Sequence, residues 1–165
     1  MVQTLITAVT VGAAIPEHYS KEYNLNCGSI TNVPFAVEQE PSRMLSSLFR
    51  LVHHGGTNVQ RQLGNMLKLM DKLDARFTLD FFLVPYNRAV YDQLRKDAEG
   101  NRRIRFQEPV QVDQISTMLN SYDLGIYMLP HAARNQELAL PNKFLNLCRG
   151  VWGRRSGLTL KWLNS

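Results

Sequence analysis

Cysteine is nearly absent: Cys27 and Cys148 are the only two, far apart and without companion ligands at metal spacing. Neither a disulfide framework nor a zinc site is indicated by that pattern. Long apolar runs are missing as well, since no stretch approaches the roughly 20 residues that a membrane span requires. The apolar start from Met1 to Ala14 has no basic leading region and no convincing small-residue cleavage site. A secretory signal is therefore a poor reading, and the cytoplasm is the expected location. Acidic residues fail only at the end. Residues 1–145 hold 15 Lys and Arg against 14 Asp and Glu, whereas the last 20 residues add Arg149, Arg154, Arg155 and Lys161 with no acid. The tail thus carries +4 of the formal charge of +5, and a body built to bind nucleic acid is not expected.

What is present is ordinary globular material. With 44% hydrophobic and 20% charged residues the chain is too apolar for disorder, and 165 residues suit one domain with a core but not a two-domain enzyme. Leu5 to Val11 reads as a short strand, and Pro16 to Tyr23 as a helix with proline in its first turn. Asn24 to Ser47 is rich in turn residues, with Pro34 and Pro41, and resembles a linker. Phe49 to His53 is a strand that meets His54-Gly55-Gly56. Val59, Leu63, Met66, Leu67, Met70 and Leu73 then share one helical face. Phe77 to Val84 is an apolar, aromatic-rich run broken only by Asp80, as a strand buried on both faces would be. Asn87 to Glu99 predicts a helix stopped by Gly100, Ile104 to Phe106 a strand, Val112 to Leu119 a helix and Asp123 to Leu129 a strand. A last helix is expected near Pro141. This alternation implies an α/β fold: a partial Rossmann-like parallel sheet of about four strands with flanking helices.

In open parallel sheets ligands bind beyond the carboxyl ends of the strands, which directs attention to the loops at His54, Pro85, Gln107 and Pro130. A loop containing Gly55 and Gly56 lets backbone amides approach an anion, and a helix following it would offer its N-terminal dipole. Arg61, just inside that helix, suits a diphosphate because its planar fork pairs two oxygens at once. The alternative is that the glycine pair simply turns the chain. His53 and His54 are adjacent strand residues that point to opposite faces, so they do not readily share a metal ion. His53 reads as a core residue, and His54 as a loop residue able to hydrogen-bond a ligand. His131 follows a strand and could reach the cleft or be solvated. Asn142 and Lys143 fall in the first turn of the last expected helix, where lysine conflicts with the helix dipole unless an anion is bound or its side chain faces solvent.

Taken in order, these segments resemble a GT-B glycosyltransferase of the retaining, glycogen-synthase-like superfamily. Thr7-Ala8-Val9-Thr10-Val11 and Ile15 to Tyr23 are similar to the end of the acceptor domain, Thr31-Asn32-Val33-Pro34 to the crossing between domains, and Leu51 to Arg61 to the first strand and loop of the donor domain. Tyr122 to Pro130 and Leu140-Pro141-Asn142-Lys143-Phe144 complete the likeness, which spans roughly residues 5–145. The resemblance implies an acceptor-domain remnant over 1–23, a linker over 24–47, part of a nucleotide-sugar-binding domain over 48–145 and an atypical tail over 146–165. It implies transfer of a sugar from a nucleotide diphosphate sugar to a saccharide or lipid-linked acceptor, without a metal or other cofactor. Gly55, Gly56 and Arg61 would hold the diphosphate, and Asn142 and Lys143 would lie near the sugar or phosphate. His54, Pro130 and His131 would border the cleft, and no catalytic residue is named. The intact enzyme would work at the inner face of the membrane without spanning it.

Two departures from the family's pattern qualify the activity expected. The chain opens at what resembles the end of the acceptor domain, so one wall of the cleft is expected to be missing. Relatives also carry a Glu engaging the donor where this sequence has Asn146. Back-translating Asn146 to Trp152 as AAT TTG TGC AGG GGC GTT TGG and restoring one G in front encodes Glu-Phe-Val-Gln-Gly-Arg-Leu, which resembles the family's continuation. A single-base deletion at that codon is the hypothesis; the coding DNA tests it, since no long downstream frame would open there if it were wrong. Trp152, Leu158, Leu160, Trp162 and Leu163 would then be apolar residues unselected for packing. A non-catalytic nucleotide-sugar-binding module, an inactive remnant and a sugar-nucleotide epimerase are the alternative readings.

Overall fold

Strand and helix patterns alternate along the chain, and the computed structural model turns them into two parallel sheets; it describes residues 7–12, 14–31, 33, 47–128 and 145–147. The first holds β1 (Thr7–Thr10) and β2 (Asn26–Ser29), joined through α1 (Ala14–Tyr23). Thr7 lies beside Asn26 and Thr10 beside Ser29, in parallel. The segment read as a linker therefore contributes a strand. Its sequence, Asn26-Cys27-Gly28-Ser29, is short and without apolar alternation, so only its partner strand betrays it.

The second sheet follows the predicted rhythm: β3 (Phe49–Gly56), α2 (Gly64–Lys72), β4 (Phe77–Val84), α3 (Arg88–Asp97), β5 (Ile104–Gln107), α4 (Ile115–Leu119) and β6 (Leu124–Gly125). Its order is β5-β4-β3-β6, and every neighbouring pair is parallel. This is a partial Rossmann-like α/β sheet.

Two cores form because side chains alternate across β3 and β4. On one face Leu51, Leu79, Phe81 and Leu83 pack against Met66, Leu67 and Met70 of α2 and Leu94 of α3. On the other, Val52 and Phe82 meet Leu119 of α4, Tyr122, Tyr127 and Leu147. Leu147 lies just inside the atypical tail, yet it is buried, and it comes so close to Gly125 that any Cβ there would collide with it. The ends of α3 are set as the sequence predicts: Asn87 accepts a hydrogen bond from the Val90 amide at 3.1 Å, and Gly100 takes a positive φ of 83° beyond its C-terminus.

Two expected helices are divided. Val59–Arg61 is a separate 3₁₀ turn, Gln62 adopts a left-handed φ of 45°, and α2 starts only at Gly64. Val59 points outward, 67% exposed, so the helical face begins at Leu63. Val112–Gln114 is likewise a 3₁₀ turn ahead of α4. The strand expected from Asp123 to Leu129 pairs only at Leu124 and Gly125, beside Leu51 and Val52, and Leu129 lies outside the described residues. Of the last helix, expected near Pro141, residues 145–147 are described and are helical.

Candidate functional site

The chain leaves β3 toward β4 on one side, and β6 is later laid against its other side. The strand order therefore reverses between β3 and β6, and the carboxyl ends at such a reversal are where open parallel sheets bind their ligands. Gly55 and Gly56 stand at this edge as the last residues of β3, still in register with Leu83 and Val84. They prolong the strand, and the turn begins at Thr57. Gly55 has a φ of 129°, which side chains rarely tolerate. Gly56 does not share that conformation. Its bare Cα lies against the edge of the Tyr86 ring, where a Cβ would collide.

Thr57 is 2% exposed and ties the ends of β3 and β4 together. Its amide donates to the Val84 carbonyl at 3.0 Å, while its hydroxyl donates to the Asn87 carbonyl and accepts from the Asn87 amide, each at 3.0 Å. The amides of Gln60, Arg61 and Gln62 are also spent within the loop. Gln60 N–H donates to Asn58 Oδ1 at 2.9 Å, Arg61 N–H to the Asn58 carbonyl at 3.1 Å and Gln62 N–H to the Val59 carbonyl at 3.3 Å. An amide-lined loop running straight into a helix N-terminus is therefore not what this sequence builds. The 3₁₀ turn and the left-handed Gln62 separate α2 from the glycine pair, so the nearby cation is the Arg61 side chain.

Arg61 is half-buried and interacts with the hydroxyl of Tyr127, the second residue beyond β6. Burial pushes the Tyr127 phenol above its ordinary range, and the charge and hydrogen bond of Arg61 partly oppose that rise. One residue earlier, the Ile126 carbonyl lies 2.8 Å from His53 Nδ1. Gly55 and Gly56 thus close β3, and Arg61, in the turn that follows, is brought to Tyr127 just beyond β6. His54 is inside β3, opposite Phe82 and 6% exposed, and is not a loop residue. Pro130, His131, Asn142 and Lys143 lie outside the described residues.

Sequence reasoning passed over Thr57, Tyr86 and Tyr127, for which only position beyond a strand end was a signal. It also missed a polar network on the α4 face of the sheet. Asp80, 2% exposed, accepts from Arg105 Nε at 2.6 Å and Nη2 at 3.0 Å, and from the Tyr122 hydroxyl at 2.7 Å. Asp123 accepts from the Arg50 backbone amide at 2.8 Å and from its guanidinium at 3.1 and 3.2 Å. The Tyr122 phenol is pushed up, first by burial and then by its bond to Asp80. These bonds link β4 to β5 and β3 to the approach to β6, and they satisfy two buried carboxylates.

No helix among the described residues is long and apolar enough to cross a membrane, and no group of three or more His, Cys, Asp or Glu among them could hold a metal ion. Comparison with known proteins finds no matching family model and no matching curated relative.

Proposed function

We propose that this chain carries the donor side of a GT-B-type glycosyltransferase and binds a nucleotide diphosphate sugar in the crevice between β3 and β6. The observation that supports the reading is that Arg61, in the turn after glycine-ended β3, meets Tyr127 just beyond β6, the two strands between which strand order reverses. A guanidinium there presents a planar fork to two phosphate oxygens. On transfer of the sugar, negative charge grows on the departing diphosphate, and a fixed arginine stabilises it without a metal. Asn142 and Lys143 are assigned to the sugar end of the same ligand by the order of motifs in the sequence. Transfer itself needs an acceptor held against the donor in a water-poor cleft, and donor binding is the step proposed for these residues.

Calorimetry with UDP, GDP and UDP-glucose tests the assignment. Saturable binding is expected, weakened about 10-fold or more by Arg61→Ala, the scale of a charge-assisted hydrogen bond worth roughly 1.5–3 kcal/mol. A folded chain that binds none of the three, or binds them equally well without Arg61, would overturn the reading.

A further inference from the structure

Most arginines bonded to the sheet or its helices are matched by a carboxylate. Arg50 pairs with Asp123, Arg76 with Asp74, Arg88 with Asp92 and Arg105 with Asp80, so each of these charges meets its opposite. Arg61 is the contrast: it is half-buried, its partner is the Tyr127 hydroxyl, and no carboxylate pairs with it among the described residues. Both partners are anchored from behind. Arg61 ends the 3₁₀ turn capped by Asn58, whose carbonyl accepts from the Arg61 amide at 3.1 Å. The Tyr127 ring packs with Val52, Leu119 and Leu147, and the residue before it is tied to β3 twice. The Ile126 amide donates to the Val52 carbonyl at 2.8 Å, and the Ile126 carbonyl lies 2.8 Å from His53 Nδ1. A protonated phenol is a neutral acceptor. It restrains a guanidinium by taking one N–H, whereas a carboxylate also cancels the charge.

We infer that Tyr127 is the positioning residue of the anion site, holding the Arg61 guanidinium across the ends of β3 and β6 with its charge intact, an inference that rests on the donor-binding reading above. A guanidinium has donors to spare, so one bond to Tyr127 leaves others for phosphate oxygens. An arginine side chain left loose must give up rotamer freedom to capture an anion; one already held gives up less, and the anion binds more tightly. Tyr127 acts through Arg61 and does not touch the ligand, so its effect falls equally on every ligand that carries the diphosphate. Because Tyr127 follows β6, the arrangement is complete once Leu124 and Gly125 have paired with Leu51 and Val52.

The test uses Tyr127→Phe, which keeps the ring in its core and removes only the hydroxyl, in the whole chain. In the absence of ligand, nitrogen-15 NMR follows the guanidinium signals of Arg61, identified by their loss in Arg61→Ala. These signals are expected to be resolved in the wild type and to merge with those of freely rotating arginines in Tyr127→Phe. Calorimetry is expected to show Tyr127→Phe weakening inorganic pyrophosphate and UDP by the same factor, about 5-fold, the scale of one neutral hydrogen bond. Adding Tyr127→Phe to Arg61→Ala should cost nothing more. Unchanged Arg61 signals, or unchanged affinities with binding still dependent on Arg61, overturn the positioning role but spare the donor site. A further loss on adding Tyr127→Phe to Arg61→Ala means that the phenol acts independently of Arg61, and overturns it too. Absence of binding of either anion to the wild-type chain overturns the donor site and the positioning role together.

Discussion

Tyr122 donates its hydroxyl to a carboxylate buried in the middle of β4, and that bond sets a direction for the response to alkali. Its phenol is held above the ordinary value of 10.0, by burial first and by Asp80 second, so the native state keeps a proton that the unfolded chain gives up near pH 10. The stabilisation is fully present below that pH and is lost as pH climbs from there through the higher value of the folded state. Tyr127 shifts the same way. Denaturant titrations from pH 8 to 11 should show stability falling above about pH 10, the unperturbed tyrosine value. Tyr122→Phe should flatten that fall and lower stability at neutral pH by about 1–2 kcal/mol, because Asp80 loses one donor but keeps Arg105. A Tyr122→Phe chain as stable as wild type at pH 7, with the same alkaline slope, would refute the account. Asp80 was visible in the sequence as the one charged residue in Phe77 to Val84. Its partners were not, since Arg105 and Tyr122 lie 25 and 42 residues away and only sheet register brings them together.

Elements with both a periodic interior and explicit end signals were legible. β4 runs from Phe77 to Val84 as read, and α3 lies between the Asn87 cap and Gly100. Elements were misread where a helical pattern continued through a break. Val59 fits the apolar face of Leu63 to Leu73, but periodicity contains no information about the left-handed turn at Gln62. The site suffered for the same reason: the glycine pair was found, while a 3₁₀ turn that engages the amides of Gln60, Arg61 and Gln62 stands between it and α2. The far end of α2 depends on a residue that no local pattern reveals. Arg103, just before β5, donates to the carbonyls of Met70, Leu73 and Asp74 at 2.7–2.9 Å, satisfying acceptors that the ending helix leaves open. Arg103→Ala should cost about 2 kcal/mol in thermal or denaturant unfolding, and Arg103→Lys should recover only part of it, because an ammonium lacks the fork that spans three carbonyls. Full rescue by lysine would contradict this geometry.

For the molecule as a whole, the alternation of strands and helices foretold a parallel α/β sheet, but it could not say that β6 settles beside β3. That placement is a tertiary choice, made by Asp123 on Arg50 and by Leu119 and Leu147 packing on Val52. The sheet order has a consequence for the time course of folding. The β3–β4 pairing joins residues about 27 apart, as between Thr57 and Val84, whereas β6 reaches β3 across 73, as between Arg50 and Asp123. Closing the longer loop costs roughly 1 kcal/mol more in chain entropy, and β6 supplies only two paired residues in return. The unit β3–α2–β4 is thus expected to form the nucleus and β6 to arrive late. Stopped-flow kinetics should show Leu79→Ala slowing folding and Asp123→Ala chiefly hastening unfolding, and the reverse assignment would defeat the scheme. Since the crevice exists only once β6 is in place, a ligand bound there would hold back the first strand to leave, slowing unfolding and leaving the rate of collapse of the early nucleus unchanged.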